Sequence, residues 1–388
     1  MALLGLVVLL LLRFLNRNWW QHKLVRWLAY TLPLCGALGF TLWIFGTYRK
    51  IMALSNIGLT ITLLAVITLL ALILSLPISG IFNLAYRWAE KRALKKSVPV
   101  AENVDKGRRL VLRNSAAIFP IMALSAGGGG LAGSYQQIRV YLLQLQFDNL
   151  PPELEGFRIL HLSDSHLGIY KTLDDLEEVM TEAEKFNPDI VLYTGDVADN
   201  LTLLPEALKL AASSKAKYGA FACLGNHEYY RGINQVLKVF DDGPVQLMKN
   251  SGVSMSINGK NLYLAGVDDP ATLGRDITQF LKTNVVESCK NAPSDAFSIL
   301  MSHRPEGFDV AAESGVNLVL SGHTHGGQVG LNGRSIWEVF APSRYLWGKY
   351  ARNGSQMYLT SGIGHWLPFR LGCPPEAPII ELVSGNRS

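Results

Sequence analysis

Two long stretches without a charged residue constrain this chain more than any other feature of its sequence. They are Trp27–Tyr48 and Ile51–Tyr86, and only Arg49 and Lys50 separate them. A helix needs about 20 apolar residues to cross the hydrocarbon core of a bilayer, so both stretches are long enough. A buried core helix is the alternative, but the length of the second stretch disfavours it. The first third of the chain is therefore predicted to lie in a membrane.

Two further apolar segments bring this region to about four predicted spans. Met1–Leu12 is wholly apolar but short, and it spans only if Arg13 reaches back to the interface; a core helix is an equal alternative. Asn114–Ile138 is uncharged but diluted by four consecutive glycines, so a signal-like segment is the alternative to a fourth span. We therefore assign residues 1–134 to an all-helical transmembrane region and residues 135–388 to a soluble domain.

Basic residues are concentrated in the loops of the membrane region. Residues 1–134 carry 15 Lys and Arg against 3 Asp and Glu, whereas the remainder carries 21 against 28. Cationic loops stay in the cytoplasm, and the first and third connections are the most basic. The sequence therefore predicts a multi-pass protein of the plasma membrane with everything after Ser134 outside the cytoplasm. The acidic remainder offers no bulk attraction to nucleic acid, which disfavours such a partner.

A pair of arginines agrees with this orientation. Gly107–Arg113 reads GRRLVLR and precedes a moderately apolar stretch. An internal twin-arginine export signal and simple stop-transfer charge remain as alternatives, and both place the C-terminal domain on the outer face.

The soluble part alternates short apolar runs with amphipathic stretches, which predicts an α/β domain. Several tight connections between strands favour an α/β sandwich over a regular parallel sheet. Five of the predicted strands are followed directly by polar residues of metal-ligand type, and in open α/β sheets ligands bind at the carboxyl ends of strands. These strands are Phe157–Leu162, Asp189–Thr194, Tyr218–Leu224, Phe297–Ser302 and Asn317–Leu320.

The residues that follow these strands predict a metal centre. Mixed oxygen and nitrogen ligands suit Mn, Fe, Zn or Co better than Ca or structural Mg. Seven side chains are more than one tetrahedral zinc needs, and they fit two divalent metals about 3.5–4 Å apart that bind phosphate oxygens and turn a bridging water into hydroxide. The candidates are Asp164, His166, Asp196, Asn226, His303, His323 and His325.

Five sequence blocks in order resemble the signature of the calcineurin-like metallophosphoesterase family. They are D-x-H, G-D, G-N-H-[DE], a lone His and G-H-x-H, and the resemblance covers about Leu150 to the C-terminus. It implies a four-layer α-β-β-α sandwich, and later details resemble the bacterial membrane-anchored branch. The blocks are Asp164/His166, Gly195-Asp196, Gly225-Asn226-His227-Glu228, His303 and Gly322-His323-Thr324-His325.

The resemblance also implies roles for single residues. Asp164, His166 and His325 would hold one metal, and Asn226, His303 and His323 the other. Asp196 would bridge the two as part of the catalytic centre. His227 would contact the phosphate beside Asn226 and stabilise or protonate the leaving oxygen. Glu228 is expected to orient its loop rather than bind metal.

Two residues near the C-terminus keep two interpretations each. Arg370 is a candidate substrate contact, with a structural ion pair as the alternative. His365 is either an extra phosphate contact or a local variation. Aromatic residues in Ile336–Tyr350 either pack against the domain or line a pocket and touch lipid headgroups.

The sequence predicts a membrane-anchored phosphodiester or phosphomonoester hydrolase whose substrate is a lipid- or nucleotide-linked phosphate. Membrane lipids are the other expected partners, and no protein partner is evident. One alternative is an enzyme like UDP-2,3-diacylglucosamine hydrolase of lipid A metabolism, facing the cytoplasm. The non-enzyme alternative is a membrane receptor or scaffold that retains the fold.

Overall fold

The chain divides into two compact units, Met1–Ala132 and Gly133–Ser388. The boundary lies two residues before the one that the sequence suggested. The computed structural model describes residues 1–49, 51–95, 102–168, 170–271, 276–342, 344–365 and 367–385.

The first unit is all helical. Three of its helices are long and apolar enough to cross a membrane, over Lys23–Tyr48, Ala53–Ala85 and Ala116–Ser134, whereas the apolar helix Ala2–Leu15 is shorter. The described part of the chain thus offers three spans where the sequence suggested about four. The helices are α1 (Ala2–Leu10, extended by a π-helical turn to Leu15), α2 (Arg17–Trp20), α3 (Lys23–Tyr48), α4 (Met52–Lys95) and α5 (Glu102–Ser134).

Helices α3 and α4 pack through small residues, as membrane helices do when their backbones approach closely. A Cβ atom at Gly46 would collide with the backbone of Ser55, and one at Gly58 would collide with the backbone of Trp43. Large apolar side chains such as Leu74 remain exposed on the outside of these helices, which is the surface that lipid tails cover.

The second unit contains two six-stranded mixed sheets. The first has the strand order β1-β14-β2-β3-β4-β5 and the second β12-β13-β9-β8-β7-β6, while β10 and β11 form a separate hairpin. The strands are β1 (Arg139–Phe147), β2 (Arg158–Leu162), β3 (Ile190–Thr194), β4 (Ala220–Cys223), β5 (Gln246–Leu247), β6 (Ser251–Ile257), β7 (Lys260–Gly266), β8 (Phe297–Met301), β9 (Leu318–Ser321), β10 (Gly330–Leu331), β11 (Arg334–Ser335), β12 (Gly348–Arg352), β13 (Ser355–Leu359) and β14 (Glu376–Ser384).

Helices cover the outer face of each sheet, which confirms the four-layer α-β-β-α sandwich. The inner faces meet in an apolar core that includes Leu192 of the first sheet and Leu264 of the second. Helices α6 to α8 pack on the first sheet, and α9 and α10 on the second. Their bounds are α6 (Leu173–Glu184), α7 (Leu204–Ala212), α8 (Asn226–Asp241), α9 (Ile277–Cys289) and α10 (Gly307–Glu313).

Parallel pairing brings the predicted ligand loops to one edge. Strand β2 pairs in parallel with β3 and β3 with β4 in the first sheet, and β8 pairs in parallel with β9 in the second. The carboxyl ends of the parallel strands in each sheet therefore point the same way, and the loops after them meet where the two sheets face each other.

Candidate active site

The first cluster of ligand-type side chains joins the loop after β2 to the loop after β9. The ligand atoms of Asp164, His166 and His325 all lie within 4.8 Å of one another. Nε2 of His166 lies 3.2 Å from Nε2 of His325, and Nε2 of His325 lies 3.6 Å from Oδ1 of Asp164. All three side chains are buried, so two imidazole nitrogens and a carboxylate face one small space away from water.

The second cluster lies around Asp196. Its carboxylate, His303 and His323 again have ligand atoms within 4.8 Å of one another. Nε2 of His303 lies 3.3 Å from Oδ2 of Asp196 and 3.2 Å from Oδ1 of Asn226. The same Oδ2 of Asp196 lies 3.6 Å from Nε2 of His166. One carboxylate oxygen thus faces a histidine from each cluster, as a shared ligand would.

Hydrogen bonds fix which nitrogen His166 and His303 present to the clusters. Nδ1 of His303 lies 2.7 Å from the carbonyl oxygen of Thr194, and because a carbonyl only accepts, Nδ1 carries the proton. Nδ1 of His166 lies 3.1 Å from Oδ2 of Asp199. In both rings Nε2 is therefore the nitrogen that faces the cluster and is available to a metal, which is the arrangement typical of histidines that bind metals.

Asp199 is a site residue that the sequence interpretation missed. Its second oxygen, Oδ1, lies 2.6 Å from Nδ1 of His227 and 2.7 Å from Nε of Arg231. One buried carboxylate thus orients both a candidate ligand, His166, and the candidate acid, His227. Burial raises the pKa of Asp199, but hydrogen bonds from His166 and His227 outweigh it and hold that pKa well below its usual range. The spacing of three residues after Asp196 is the signal that could have found it.

The backbone of the site adopts the left-handed region at five of the seven predicted ligands. A positive φ is uncommon for residues other than glycine, and such strain is concentrated at functional sites. A Cβ at Gly225 would collide with the carboxylate of Asp196, and one at Gly322 with that of Asp164, so glycine allows the loops to approach the carboxylates closely. The ligands with positive φ are Asp164, His166, Asp196, His323 and His325.

Glu228 holds the loops together, as the sequence predicted. Its carboxylate accepts hydrogen bonds from the backbone N–H groups of Asp196 at 3.0 Å, Val197 at 2.8 Å and Gly225 at 2.8 Å. Both oxygens are therefore occupied by the backbone, and the side chain fixes the loop after β3 against the start of α8.

The electrostatics of the clusters fit a divalent cation. Burial raises the pKa of Asp164. Burial also opposes the charge on His303, but the carboxylates of Asp196 and Asp164 raise its pKa to about 10. Without a metal, protons therefore supply the positive charge that these buried carboxylates require. Nε2 of His166 and Nε2 of His325 face each other at 3.2 Å, so one of them carries a proton when no metal is bound, and a shared cation would take the place of that proton. The donor set and its charge suit a divalent transition metal.

The structure corrects the assignment of Arg370 as a substrate contact, because the side chain is buried away from solvent. The side chain is 1% exposed. Its guanidinium donates to backbone carbonyl oxygens, including those of Ser361 at 2.7 Å and Cys373 at 3.2 Å. Its partners are carbonyls rather than carboxylates, so the alternative of an ion pair is replaced by a role in holding the loop after β13.

His365 lies in that same loop, and both interpretations of it stay open. It is 1% exposed and stacks on Tyr170 with ring centroids 5.0 Å apart. Neither ring nitrogen has a hydrogen-bond partner in the described part of the chain. Burial, with the positive charges of Arg370 and Lys171, lowers the pKa of His365 to about 2, so the ring is neutral.

Comparisons with known proteins agree with the geometry. A family profile described as Calcineurin-like phosphoesterase matches residues 157–327. An uncharacterized metallophosphoesterase of Aquifex aeolicus is 32% identical over 65% of this chain and 96% of its own length. Phosphodiesterase YaeI of Escherichia coli is 28% identical over 71% of this chain and 99% of its own length.

The name of a further relative describes a transmembrane protein. The Transmembrane protein with metallophosphoesterase domain of Bos taurus is 27% identical over 72% of this chain and 64% of its own length. Together with the three apolar helices, this likeness indicates a membrane protein. The matched residues include all five blocks of candidate ligands, and the chain belongs to the calcineurin-like metallophosphoesterase family of metal-dependent phosphoester hydrolases.

Proposed function

We propose that this chain is a membrane-anchored phosphodiesterase that uses two divalent metals held by the two clusters. The observation that carries the proposal is the position of Asp196, whose Oδ2 faces His166 at 3.6 Å and His303 at 3.3 Å. Two cations joined by a carboxylate stabilise the attacking and leaving oxygens of an in-line displacement at phosphorus and supply a nucleophile at neutral pH. Mn, Fe, Zn and Co are the candidate metals.

The chain's own residues orient the substrate and handle the leaving group. His227 is more exposed than the candidate ligand His166, at 16% of its side chain against 1%. Its Nδ1 is held by Asp199, and its backbone N–H donates to Oδ1 of Asp196 at 2.9 Å. The free edge of the ring, Nε2, is therefore the atom that meets the leaving oxygen. Asp199 orients the ring so that a proton on Nε2 is directed at that oxygen.

The substrate class rests on two supports. Phosphodiesterase YaeI, a relative over most of this chain, indicates a phosphodiester. The helices of membrane-crossing length favour a substrate that is itself lipid-linked, with a nucleotide-linked phosphodiester as the second candidate. The complete set of candidate ligands disfavours a receptor or scaffold without turnover.

The proposed location is the outer face of the plasma membrane. The excess of Lys and Arg in the first and third connections supports it. The alternative is hydrolysis of UDP-2,3-diacylglucosamine, which requires a cytoplasmic active site. Alkaline phosphatase fused after Ser388 should be active if the soluble unit is exported. An inactive fusion, together with a fluorescent green fluorescent protein fusion at the same point, would support the cytoplasmic alternative.

Hydrolysis of bis-p-nitrophenyl phosphate by the full chain in detergent micelles with added Mn²⁺ tests the activity. We expect turnover that a chelator abolishes and that Asp196→Asn reduces by about 100-fold or more. Asp295→Asn is the matched control, since Asp295 is an exposed carboxylate that pairs only with Lys260 among the ion pairs described. Turnover that survives both chelation and Asp196→Asn would contradict the two-metal mechanism.

A further inference from the structure

A short segment after the H-x-H motif exposes an unusual number of large apolar side chains. We name residues 330–340 the apolar hairpin; they comprise β10, β11 and the 3₁₀ turn Ile336–Val339. Val339 is 79% exposed and Phe340 80%. Of the nine exposed large apolar residues described from residue 135 onward, five lie here. They are Leu331, Ile336, Trp337, Val339 and Phe340.

Hydrogen bonds to neighbouring backbone groups hold the base of the apolar hairpin in place. The backbone N–H of Gly330 donates to the carbonyl oxygen of Leu371 at 2.9 Å, and the N–H of Leu371 donates to that of Gln328 at 2.8 Å. The indole N–H of Trp337 donates to the carbonyl oxygen of Gly327 at 2.9 Å. Gly327 follows His325 by two residues, so the base of the hairpin adjoins the first cluster. The exposed apolar side chains therefore lie on a segment whose backbone is fixed to the domain by hydrogen bonds.

Cationic residues flank this apolar surface. Arg334 lies within the hairpin, and Arg344 and Lys349 follow it; all three are exposed. The guanidinium of Arg334 lies 4.4 Å from the ring centre of Tyr350 and 2.7 Å from a carboxylate oxygen of Glu338. Three cations against one carboxylate leave the segment with a net positive charge, which complements anionic headgroups.

We infer that the apolar hairpin inserts into the headgroup layer of a bilayer that contains anionic lipids. Contiguous apolar patches of this kind mark interaction sites on soluble domains, and Trp with aliphatic residues beside basic ones is the composition of interfacial segments. The same chain carries three helices of membrane-crossing length, so a bilayer is always available to it. This inference goes beyond the proposed function, because it concerns the surface beside the site and not the hydrolysis.

The depth of a spin label tests the inference. We would attach a nitroxide at Phe340→Cys in the full chain, with Cys35→Ser and Cys289→Ser to remove the two cysteines that are not buried. The chain is reconstituted in vesicles of phosphatidylcholine and phosphatidylglycerol. The matched control is the label at Asn353→Cys, an exposed position in the turn between β12 and β13.

Insertion predicts that the label at residue 340 collides with oxygen but is shielded from a water-soluble nickel chelate. We expect its nickel accessibility to be about threefold or more below that at residue 353, and the difference to shrink in pure phosphatidylcholine vesicles. Equal nickel accessibility at the two positions would overturn the inference. Shielding from both reagents would indicate burial against protein and would overturn it as well. A difference that is the same in both lipids would contradict the recognition of anionic headgroups.

A second variant separates this inference from the proposed function. Phe340→Asp should remove the shielding of a label at Val339→Cys, while hydrolysis of the water-soluble bis-p-nitrophenyl phosphate stays unchanged. Failure of the two-metal mechanism would leave the depth measurement as it is. Failure of insertion would likewise leave the metal-dependent turnover intact.

Discussion

Nη1 of Arg304 lies 3.0 Å from Nε2 of His323, while Nε of the same guanidinium lies 2.8 Å from a carboxylate oxygen of Asp269. Arg304 and Asp269 are both buried. Because a guanidinium only donates, Nε2 of His323 is the accepting nitrogen in this structure. A cation bound through Nε2 would take the place of that N–H group. A cation bound through Nδ1 requires a proton on Nε2. Either way the bond to Arg304 breaks, and Nη1 is left beside the site on a side chain that Asp269 still holds.

We predict that Arg304 then contacts the anionic phosphate. Arg304→Met should raise the KM for bis-p-nitrophenyl phosphate, and the inhibition constant for inorganic phosphate, by about 10- to 100-fold. The metal content measured by mass spectrometry should stay unchanged, and Arg304→Lys should recover part of the loss. Arg352→Met, which removes an exposed partner of Asp309, is the control. A fall in metal content with an unchanged KM would show that Arg304 only holds His323.

Asp199 should matter for turnover more than for folding. Asp199→Asn keeps the shape of the side chain but can accept through one oxygen only, so His166 and His227 cannot both keep their partner. We expect kcat to fall by about 10- to 100-fold, with a melting temperature close to that of the wild type. Asp174→Asn, at an exposed position in the first turn of α6, is the matched control. A kcat within twofold of the wild type would rule out this role.

Removal of Glu228 should destabilise the soluble unit. Glu228→Ala leaves three buried backbone N–H groups without their acceptor. The expected loss in the free energy of unfolding is at least about 3 kcal/mol, measured by denaturant titration of the full chain in detergent. Glu206→Ala removes an exposed carboxylate that pairs with Lys209 and should cost almost nothing. Equal stability of the two variants would contradict the role assigned to Glu228.

His161 should make the fold sensitive to acid. Burial lowers its pKa to about 3, and its Nε2 lies 2.9 Å from the hydroxyl of Thr194. In the unfolded chain the ring takes up a proton below about pH 6.5. The stability that its neutral form contributes is therefore present above that pH and lost as the pH falls toward 3. Between pH 7 and pH 4.5 the loss is about 2–3 kcal/mol.

The variant His161→Gln isolates that contribution. It keeps a partner for Thr194 but does not titrate, so its stability should decline less than that of the wild type between the same two pH values. Denaturant titrations at both pH values give the comparison. Parallel declines in the two proteins would mean that other groups cause the sensitivity to acid.

The sequence predicted the site better than it predicted the surroundings of the site. Strand ends followed by Asp and His were visible because parallel strands deliver their carboxyl ends to one edge, and the seven candidate ligands do meet there. Asp199 and Arg304 were missed because their roles depend on contacts between distant segments. Arg370 was misassigned for the same reason, since only the folded loop shows that carbonyl oxygens surround it.

The elements that were harder to predict have weak or ambiguous local signals. Helix α8 begins at Asn226 within the polar G-N-H-E block, so its first turn offers no amphipathic repeat that would predict a helix. The apolar segment that begins at Asn114 stops as a helix at Ser134, because the chain enters strand β1 at Arg139.

Electron paramagnetic resonance of the full chain loaded with Mn²⁺, combined with its metal content, tests the central claim most directly. Two clusters that share Asp196 predict two manganese ions per chain whose spins are coupled to each other. Asp196→Asn should abolish the coupling, whereas Asp295→Asn should leave it intact. A single uncoupled manganese per chain in the wild type, or a coupled pair that survives Asp196→Asn, would contradict the account.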